Sequence, residues 1–366
     1  HNGLGYNNLI FMSLILSKMQ VNSDGKYLGS NAKVFPILAI EEPEAHLHPA
    51  MQYQFLKFLK KNMTEKKVRQ IFVTTHSTHI ASSVSLDEMI CLHNEAGETT
   101  VGYPGKVFLA NDKSKRYVQR FLDATKSDML FAQKVILVEG LAEQLLLSIF
   151  AKYIDNSLEE KHVAVINVGG RYFDHFLNLF DSSKLNTINK KIVCLTDRDP
   201  ERKKKEGKYN FQKCYPFEFN CDSSIFEYQN NLSLNKYKPG THPNIALFSQ
   251  DAILGRTFEY DLILANPTLE LLITESMVNA SEMKTLMKLY DDEEPLSKFL
   301  EELRKSDENK RIVNSINLNT TWTEDQKIKS IIAARYLNSV GKGENALELA
   351  YVLEENLMKK GTAEYK

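Results

Sequence analysis

Residues Lys134–Glu143 read KVILVEGLAE, and the fold follows from how that stretch is taken. Val135 to Val138 is an unbroken apolar run, mostly β-branched, which suits a strand of a parallel sheet covered on both faces. Gly140 marks a turn, and the apolar spacing of the following QLLLSIFAKY predicts a helix. The strand therefore delivers Glu139 to its carboxyl end, and Glu143 falls in the first turn of the helix. In open α/β sheets that edge is where ligands bind. Two carboxylates placed there repel each other unless positive charge lies between them, and a divalent cation is the simplest such charge.

A second stretch answers the first. Lys191–Asp199, KIVCLTDRD, is another apolar run, ending in Asp197 and Asp199. Two positions apart in an extended chain, these acids point the same way. Between the two stretches lie VAVINVGG, closed by Gly169 and Gly170, and the amphipathic YFDHFLNLF. Alternation of short apolar runs with helical segments predicts an α/β fold with a doubly wound parallel sheet. If both strands belong to that sheet, Glu139, Glu143, Asp197 and Asp199 meet on one rim.

Composition narrows the function classes. A chain of 366 residues predicts two or three domains, and 43% hydrophobic content supports a substantial core. The formal net charge is −1, so no global basic field points to nucleic acid, and such a partner would need local patches or metal. Four cysteines (Cys91, Cys194, Cys214, Cys221) form no CxxC pair, which predicts reduced thiols and a cytoplasmic protein without zinc. No apolar run reaches membrane-spanning length, and no signal peptide opens the chain.

The first 95 residues carry their own pattern. NGLGYNNL has Gly3 and Gly5 in a turn leading into an apolar helix. VFPILAIEEPEAHLHP is a strand ending in Glu41 and Glu42, and RQIFVTTHST is a strand ending at Thr74, Thr75 and His76. Two acids at a strand end suit magnesium binding and polarisation of an attacking water, and a histidine at the next strand end suits a γ-phosphate sensor. A zinc site from Glu44, His46 and His48 is a weaker alternative, since no separated further ligand follows.

In that order these segments resemble the signature, Walker B, D-loop and H-loop series of ABC-type ATPases of the SMC and RecF kind. The resemblance implies a magnesium role for Glu41, a catalytic role for Glu42 and a switch role for His76. The chain departs from the pattern at Glu41, where most such ATPases have Asp. It also contains no GxxxxGK[ST], so no phosphate-cradling loop is present and ATP hydrolysis by this chain alone is not expected. Because the sequence opens at His1 within a motif, an N-terminal part of a longer protein, binding ATP, is expected outside it.

The VEGxxE strand followed by the TDxD strand resembles a Toprim domain, the fold shared by topoisomerases, primases and some nucleases. The resemblance makes Glu139, Glu143, Asp197 and Asp199 metal-binding or catalytic. Organisation follows: an ATPase portion over 1–95, a Gly- and Pro-rich linker over 96–128, and a Toprim domain over 129–265. Residues 266–366 read as a helical insertion and a final helix packing on that domain. Within the Toprim region the pattern breaks between 200 and 243. Seven Lys or Arg residues fall within 198–213, beside Tyr209 and Phe211. That run reads either as a solvated surface or as a mobile loop gripping phosphates next to the DxD.

An ATPase portion joined to a Toprim domain resembles the OLD (overcoming lysogenization defect) family nucleases, a class that includes nuclease subunits of the Gabija antiphage defence system. The resemblance adds Glu259, at the position of an extra metal-binding Glu, with Thr257 on the same face if the segment is extended. It also adds Lys342, a glycine-flanked lysine that would reach the site and neutralise a leaving oxygen. It implies a Mg²⁺- or Mn²⁺-dependent DNA endonuclease, two ions held by Glu139, Glu143, Asp197, Asp199, Glu259 and Thr257. A homo-oligomer and a helicase-like partner are the implied assemblies, with no membrane. Two competing readings are a Toprim topoisomerase, with Tyr172 or Tyr260 as nucleophile, and an ATP-driven clamp or signalling module without cleavage.

Overall fold

The computed structural model describes residues 4–23, 37–45, 47–65, 68–95, 97–108, 112–123, 125–303 and 306–365. The chain forms two compact units, residues 1–132 with 181–189, and residues 133–180 with 190–366.

In the first unit, strand β1 (Ile37–Glu41) runs parallel to β2 (Gln70–Thr74), in a register that sets Glu41 against Thr74. The helices Leu4–Ser23 and Pro49–Thr64 cover them, with Leu16, Phe55, Leu59 and Val68 as the core. Gly5 lies in the first turn of the leading helix, and Gly3 lies outside the described residues. Pro49 opens the second helix, where its missing N–H costs nothing. The segment 96–128, expected as a linker, is structured: β3 (Cys91–Glu95) and β4 (Glu98–Gly102) make an antiparallel hairpin, and a helix follows at Lys113–Phe121.

The second unit is built on a four-stranded, all-parallel sheet of order β11-β7-β5-β6. Its strands are β5 (Lys134–Val138), β6 (Val163–Asn167), β7 (Lys191–Leu195) and β11 (Ile245–Phe248). β5 is central, with Val135, Leu137 and Val138 buried, as a strand hidden on both faces requires. The registers align strand ends: Val138 stands beside Leu195 on one side and Asn167 on the other. Glu139 and Thr196 therefore leave the sheet together.

Residues 200–243, where a mobile loop was one expectation, form a three-stranded antiparallel sheet of order β10-β8-β9. Its strands are β8 (Glu201–Lys204), β9 (Gln212–Lys213) and β10 (Phe226–Gln229). Rings hold its cations down: Arg202 sits 4.5 Å over Phe226 and Lys203 4.6 Å over Phe211.

Beyond residue 265 the chain is mostly helical. Helix Glu324–Leu337 buries Ile331, Ile332, Ala333, Ala334 and Tyr336 and packs against helix Phe258–Ala265, whose first turn carries Glu259. The last helix, Lys342–Met358, lies along helix Leu141–Tyr153. The Tyr153 hydroxyl donates to the Leu353 carbonyl at 3.0 Å and accepts from Asn356 Nδ2 at 2.9 Å. The helices thus buttress the two segments that present Glu143 and Glu259.

Candidate functional site

The acids of the rim come from the carboxyl ends of two parallel strands and from two helix starts. Glu139 follows β5, and its Oε1 accepts from the Thr196 hydroxyl and, at 3.0 Å, from the Asp197 N–H. Asp197, following β7, is 8% exposed. Its Oδ1 accepts from Gln250 Nε2 at 2.8 Å and from the Phe258 N–H at 3.0 Å. Asp199 is 2% exposed, with its N–H donated to the Arg256 carbonyl at 3.0 Å. Its φ of +38° places a non-glycine residue in the left-handed region, strain of the kind found at functional sites.

Glu143 and Glu259 are both buried, each in the first turn of its helix, where the N-terminal dipole favours negative charge. Thr257 itself has extended backbone, but the residues after it enter a helix, so the extended segment on which a shared face depended is not formed. Thr257 instead caps helix Phe258–Ala265, accepting from Tyr260 N–H at 3.4 Å, and its hydroxyl donates to Glu259 Oε2 at 3.1 Å. A capping turn, rather than a strand face, brings the two side chains together.

Electrostatics shows that these acids share one neighbourhood. The Asp197 carboxyl is pushed up to about 7, first by burial and then by the charges of Asp199, Glu139, Glu143 and Glu259. Positive charge comes from two side chains. Asp199 Oδ2 meets Arg171 Nη2 at 2.9 Å and Lys213 Nζ at 2.5 Å, and Arg171 Nε stands 3.8 Å from Glu139 Oε2. Asp199 Oδ1 is buried with no hydrogen-bond partner.

As arranged, no group of three or more His, Cys, Asp or Glu among the described residues is spaced to hold an ion. The donor set nonetheless fits a hard divalent cation: it is all oxygen, it is short of positive charge, and one buried carboxylate oxygen is unpartnered.

Several contributors escape a reading of motifs. Gln250 fastens Asp197 and also accepts from the Arg198 N–H at 2.7 Å. The loop after it folds back because Gly255 has no side chain, since a Cβ there would stand 2.5 Å from Gln250 Cβ and 2.6 Å from Asp251 backbone. Asn231, buried, donates from Nδ2 to the Asp197 carbonyl at 2.8 Å and to Thr196 Oγ1 at 3.1 Å. Arg171 follows Gly169 (φ +74°) and Gly170 (φ +127°), whose backbone only glycine adopts without strain. Its place just past β6 was the one available signal. Lys213 lay within the charge run with nothing local to single it out.

Lys342 begins the last helix after Gly341, and its side chain lies outside the described residues. Of the two tyrosines raised for a topoisomerase, Tyr260 is fully buried and its hydroxyl is pushed up by burial, which unfits it as a nucleophile. Tyr172 is half-exposed and stacks on His175.

In the first unit, Glu41 ends β1 and Glu42 follows with φ +42°, its N–H donated to the Thr74 carbonyl at 3.0 Å. His76 Nε2 stands 3.4 Å from Glu42 Oε1. Glu44 Oε1 accepts from the Thr75 hydroxyl at 2.8 Å and the His76 N–H at 2.7 Å, and His48 Nδ1 accepts from the Ala50 N–H at 3.3 Å. Both are committed to turn and helix ends, while His46 lies outside the described residues, so the zinc alternative gains no support.

Residues 1–81 match the AAA ATPase domain family, and residues 130–199 match the Toprim domain of overcoming-lysogenization-defect-like proteins. Among particular relatives, the chain is similar to the endonuclease GajA of Bacillus cereus strain HuB5-5, 26% identical across 74% of this chain and 42% of that one. It is similar also to the endonuclease GajA of Bacillus cereus strain VD045, 29% identical across 47% of this chain and 28% of that one. An OLD nuclease of Thermus scotoductus is 25% identical over 46% of this chain and 31% of its own length. The chain thus spans less than half the length of these relatives. Among solved structures, the C-terminal region of the Burkholderia pseudomallei OLD protein is 15% identical, with a TM-score of 0.29, over 62% of this chain and 99% of that one.

Proposed function

We propose that this chain carries the cutting site of an OLD-family DNA endonuclease that depends on Mg²⁺ or Mn²⁺ and is regulated by an ATPase. The reading is supported by Glu139, Asp197 and Asp199 at one sheet edge, where the Asp197 N–H bonds Glu139 and Arg171 faces both Glu139 and Asp199, and by the charges of Glu143 and Glu259, which help push the Asp197 carboxyl up. Such crowding without cations would repel the phosphates of DNA.

Glu139, Asp197 and Asp199 would hold one ion, and Glu143 with Glu259 and Thr257 a second. Ions bound there would activate water and stabilise the departing oxygen of a phosphodiester. The protein's own part is to hold the ligands still: Thr196 and the Asp197 N–H aim Glu139, Gln250 and the Phe258 N–H aim Asp197, and the Arg256 carbonyl fixes the Asp199 backbone. The basic antiparallel sheet over 201–229 would grip the DNA backbone, and Lys342 would neutralise charge on the leaving oxygen.

Glu41, Glu42 and His76 are assigned to Mg-ATP. With no GxxxxGK[ST] in these 366 residues, we expect no ATP hydrolysis by them unaided. A homo-oligomer, a helicase-like partner and a role in antiphage defence complete the reading, in a protein placed in the cytoplasm. Among the described residues no helix is long and apolar enough to cross a membrane.

The test is incubation of supercoiled plasmid with the chain and Mg²⁺, Mn²⁺ or EDTA. Nicked or linear product with metal, none in chelator and none from Glu139→Ala is the expected result. Cutting retained by the Glu139→Ala, Asp197→Ala double variant would reject the site. A covalent protein–DNA adduct would point to topoisomerase chemistry, and intact plasmid under every condition to a non-cleaving clamp.

A further inference from the structure

We propose that Arg171 and Lys213 are exchangeable cations: they neutralise the acid rim while no divalent ion is bound, and they turn to the phosphates of DNA when one is. The inference rests on the metal-dependent nuclease reading above and adds to it two residues that bind substrate.

Charge arithmetic comes first. The two side chains together carry the charge of one divalent ion, and both end on the same oxygen, Asp199 Oδ2, at 2.9 and 2.5 Å. Arg171 also reaches toward Glu139, 3.8 Å from its Oε2. The pair therefore stands among the acids that an ion would join.

Exposure separates the cations from the acid. The Asp199 side chain is 3% exposed, whereas Arg171 and Lys213 are 31% and 55% exposed. Lys213 comes from the two-residue strand β9 at the edge of the antiparallel sheet, and Arg171 from the turn after β6. Either can swing into water without opening the core. Asp199 cannot follow them, since its N–H is bonded to the Arg256 carbonyl. Its Oδ1, buried and unpartnered, is still available to a further positive charge.

An ion arriving at this site brings positive charge to a place that already holds two cations. Like-charge repulsion then favours release of the side chains, and a bound DNA strand supplies the phosphates that would take them up. Arginine suits a phosphate through its planar fork and lysine as a point charge.

Removing a fixed cation beside the acids would also tighten Mn²⁺ binding by charge alone, so the DNA arm discriminates: a purely structural ion pair leaves DNA affinity and its salt slope unchanged. Mn²⁺ is titrated calorimetrically into the full chain without DNA, and a short labelled duplex is titrated separately in Ca²⁺ at several salt concentrations. Lys213→Gln should bind Mn²⁺ about 5- to 10-fold more tightly, because no lysine need be displaced. The same variant should bind DNA more weakly, with a salt slope shallower by about 0.9 for the lost phosphate contact. Arg171→Gln should repeat both signs, Lys213→Arg should restore wild-type behaviour, and Lys329→Gln, which loses its pairing with Asp325 instead, should leave Mn²⁺ and DNA affinity unchanged. Mn²⁺ affinity that is equal or weaker in both glutamine variants, beside a wild type that binds the ion, overturns the inference alone. A wild type that neither binds Mn²⁺ nor cuts plasmid overturns the nuclease reading and this inference with it.

Discussion

Titratable side chains stand at strand ends in both units of this chain, and their surroundings differ sharply. Glu42 and His76 in the first unit have side chains 53% and 83% exposed, at the ends of strands whose residues alternate between exposed and half-buried. Asp197 and Asp199 in the second unit are buried at the end of a sheet hidden on both faces, with a second layer of Thr196, Gln250, Asn231 and backbone N–H groups holding them. Water screens the first pair, so its members act on each other weakly. Burial makes the second set interact strongly enough to move Asp197 to about 7. In the second unit, cover on both faces turns an apolar strand ending in acids into a charged trap.

The contrast can be broken most severely at the rim. Glu139→Ala removes the carboxylate that Thr196 and Asp197 position, and the loss of several kcal/mol of transition-state stabilisation would cut nicking by about 10³-fold. Plasmid nicking rates under saturating Mn²⁺ measure it, and circular dichroism confirms that the variant is folded.

A comparable effect on stability is expected where burial and charge meet away from the rim. Glu218 has a fully buried side chain and is bonded to Arg202, Arg311 and Ser315. Glu218→Ala would strand Arg202 and Arg311 and cost about 3–5 kcal/mol in denaturant unfolding. Burial alone would raise this carboxyl, but the Arg311 hydrogen bonds and charge, the Tyr215 N–H and Arg202 outweigh it and hold it below the usual range. Its contribution is therefore complete above the unfolded value of about 4.3 and is lost as pH falls through the lower folded value. Unfolding curves between neutral pH and pH 3 should show that acid loss in the wild type and a flatter response in Glu218→Gln.

The supporting layer should matter less than the acids it holds. Gln250→Ala is expected to lower metal affinity or nicking about 10- to 100-fold while the fold survives, and Gln250→Glu, which cannot donate to Asp197, should not restore it. Titration with Mn²⁺ and nicking assays at fixed DNA concentration read both. The smallest effect belongs to the exposed pair: His76→Ala should change the stability of the first unit by under about 1 kcal/mol. A larger loss, seen in thermal unfolding, would mean the two regions are less different than their exposure indicates.

Much of this was readable from residues alone. The β5 run and its VEGxxE continuation specified a buried parallel strand with acids at its end, and KIVCLTDRD specified its neighbour, because apolar periodicity and strand-end chemistry are local properties. Glu259 was legible only through family likeness, and what sets Thr257 beside it is a helix start that Thr257 caps, not the extended segment on which a shared face depended. The basic run after Asp199 looked like a loop, yet antiparallel pairing with β10, 22 residues or more along the chain, turned it into a sheet. Pairing over such distances leaves no periodic trace in the run itself.

What the amino-acid sequence determined unaided is the inventory: which strands end in carboxylates, in what order, and that no GxxxxGK[ST] lies among these 366 residues. Only the tertiary structure decided that Glu139 touches Asp197, that Gln250 and Asn231 steady the rim, and that Arg171 and Lys213 share one oxygen of Asp199. The physical reason is that strand character is written in neighbouring residues, whereas the field at a carboxylate is set by whatever the fold places beside it, from any part of the chain.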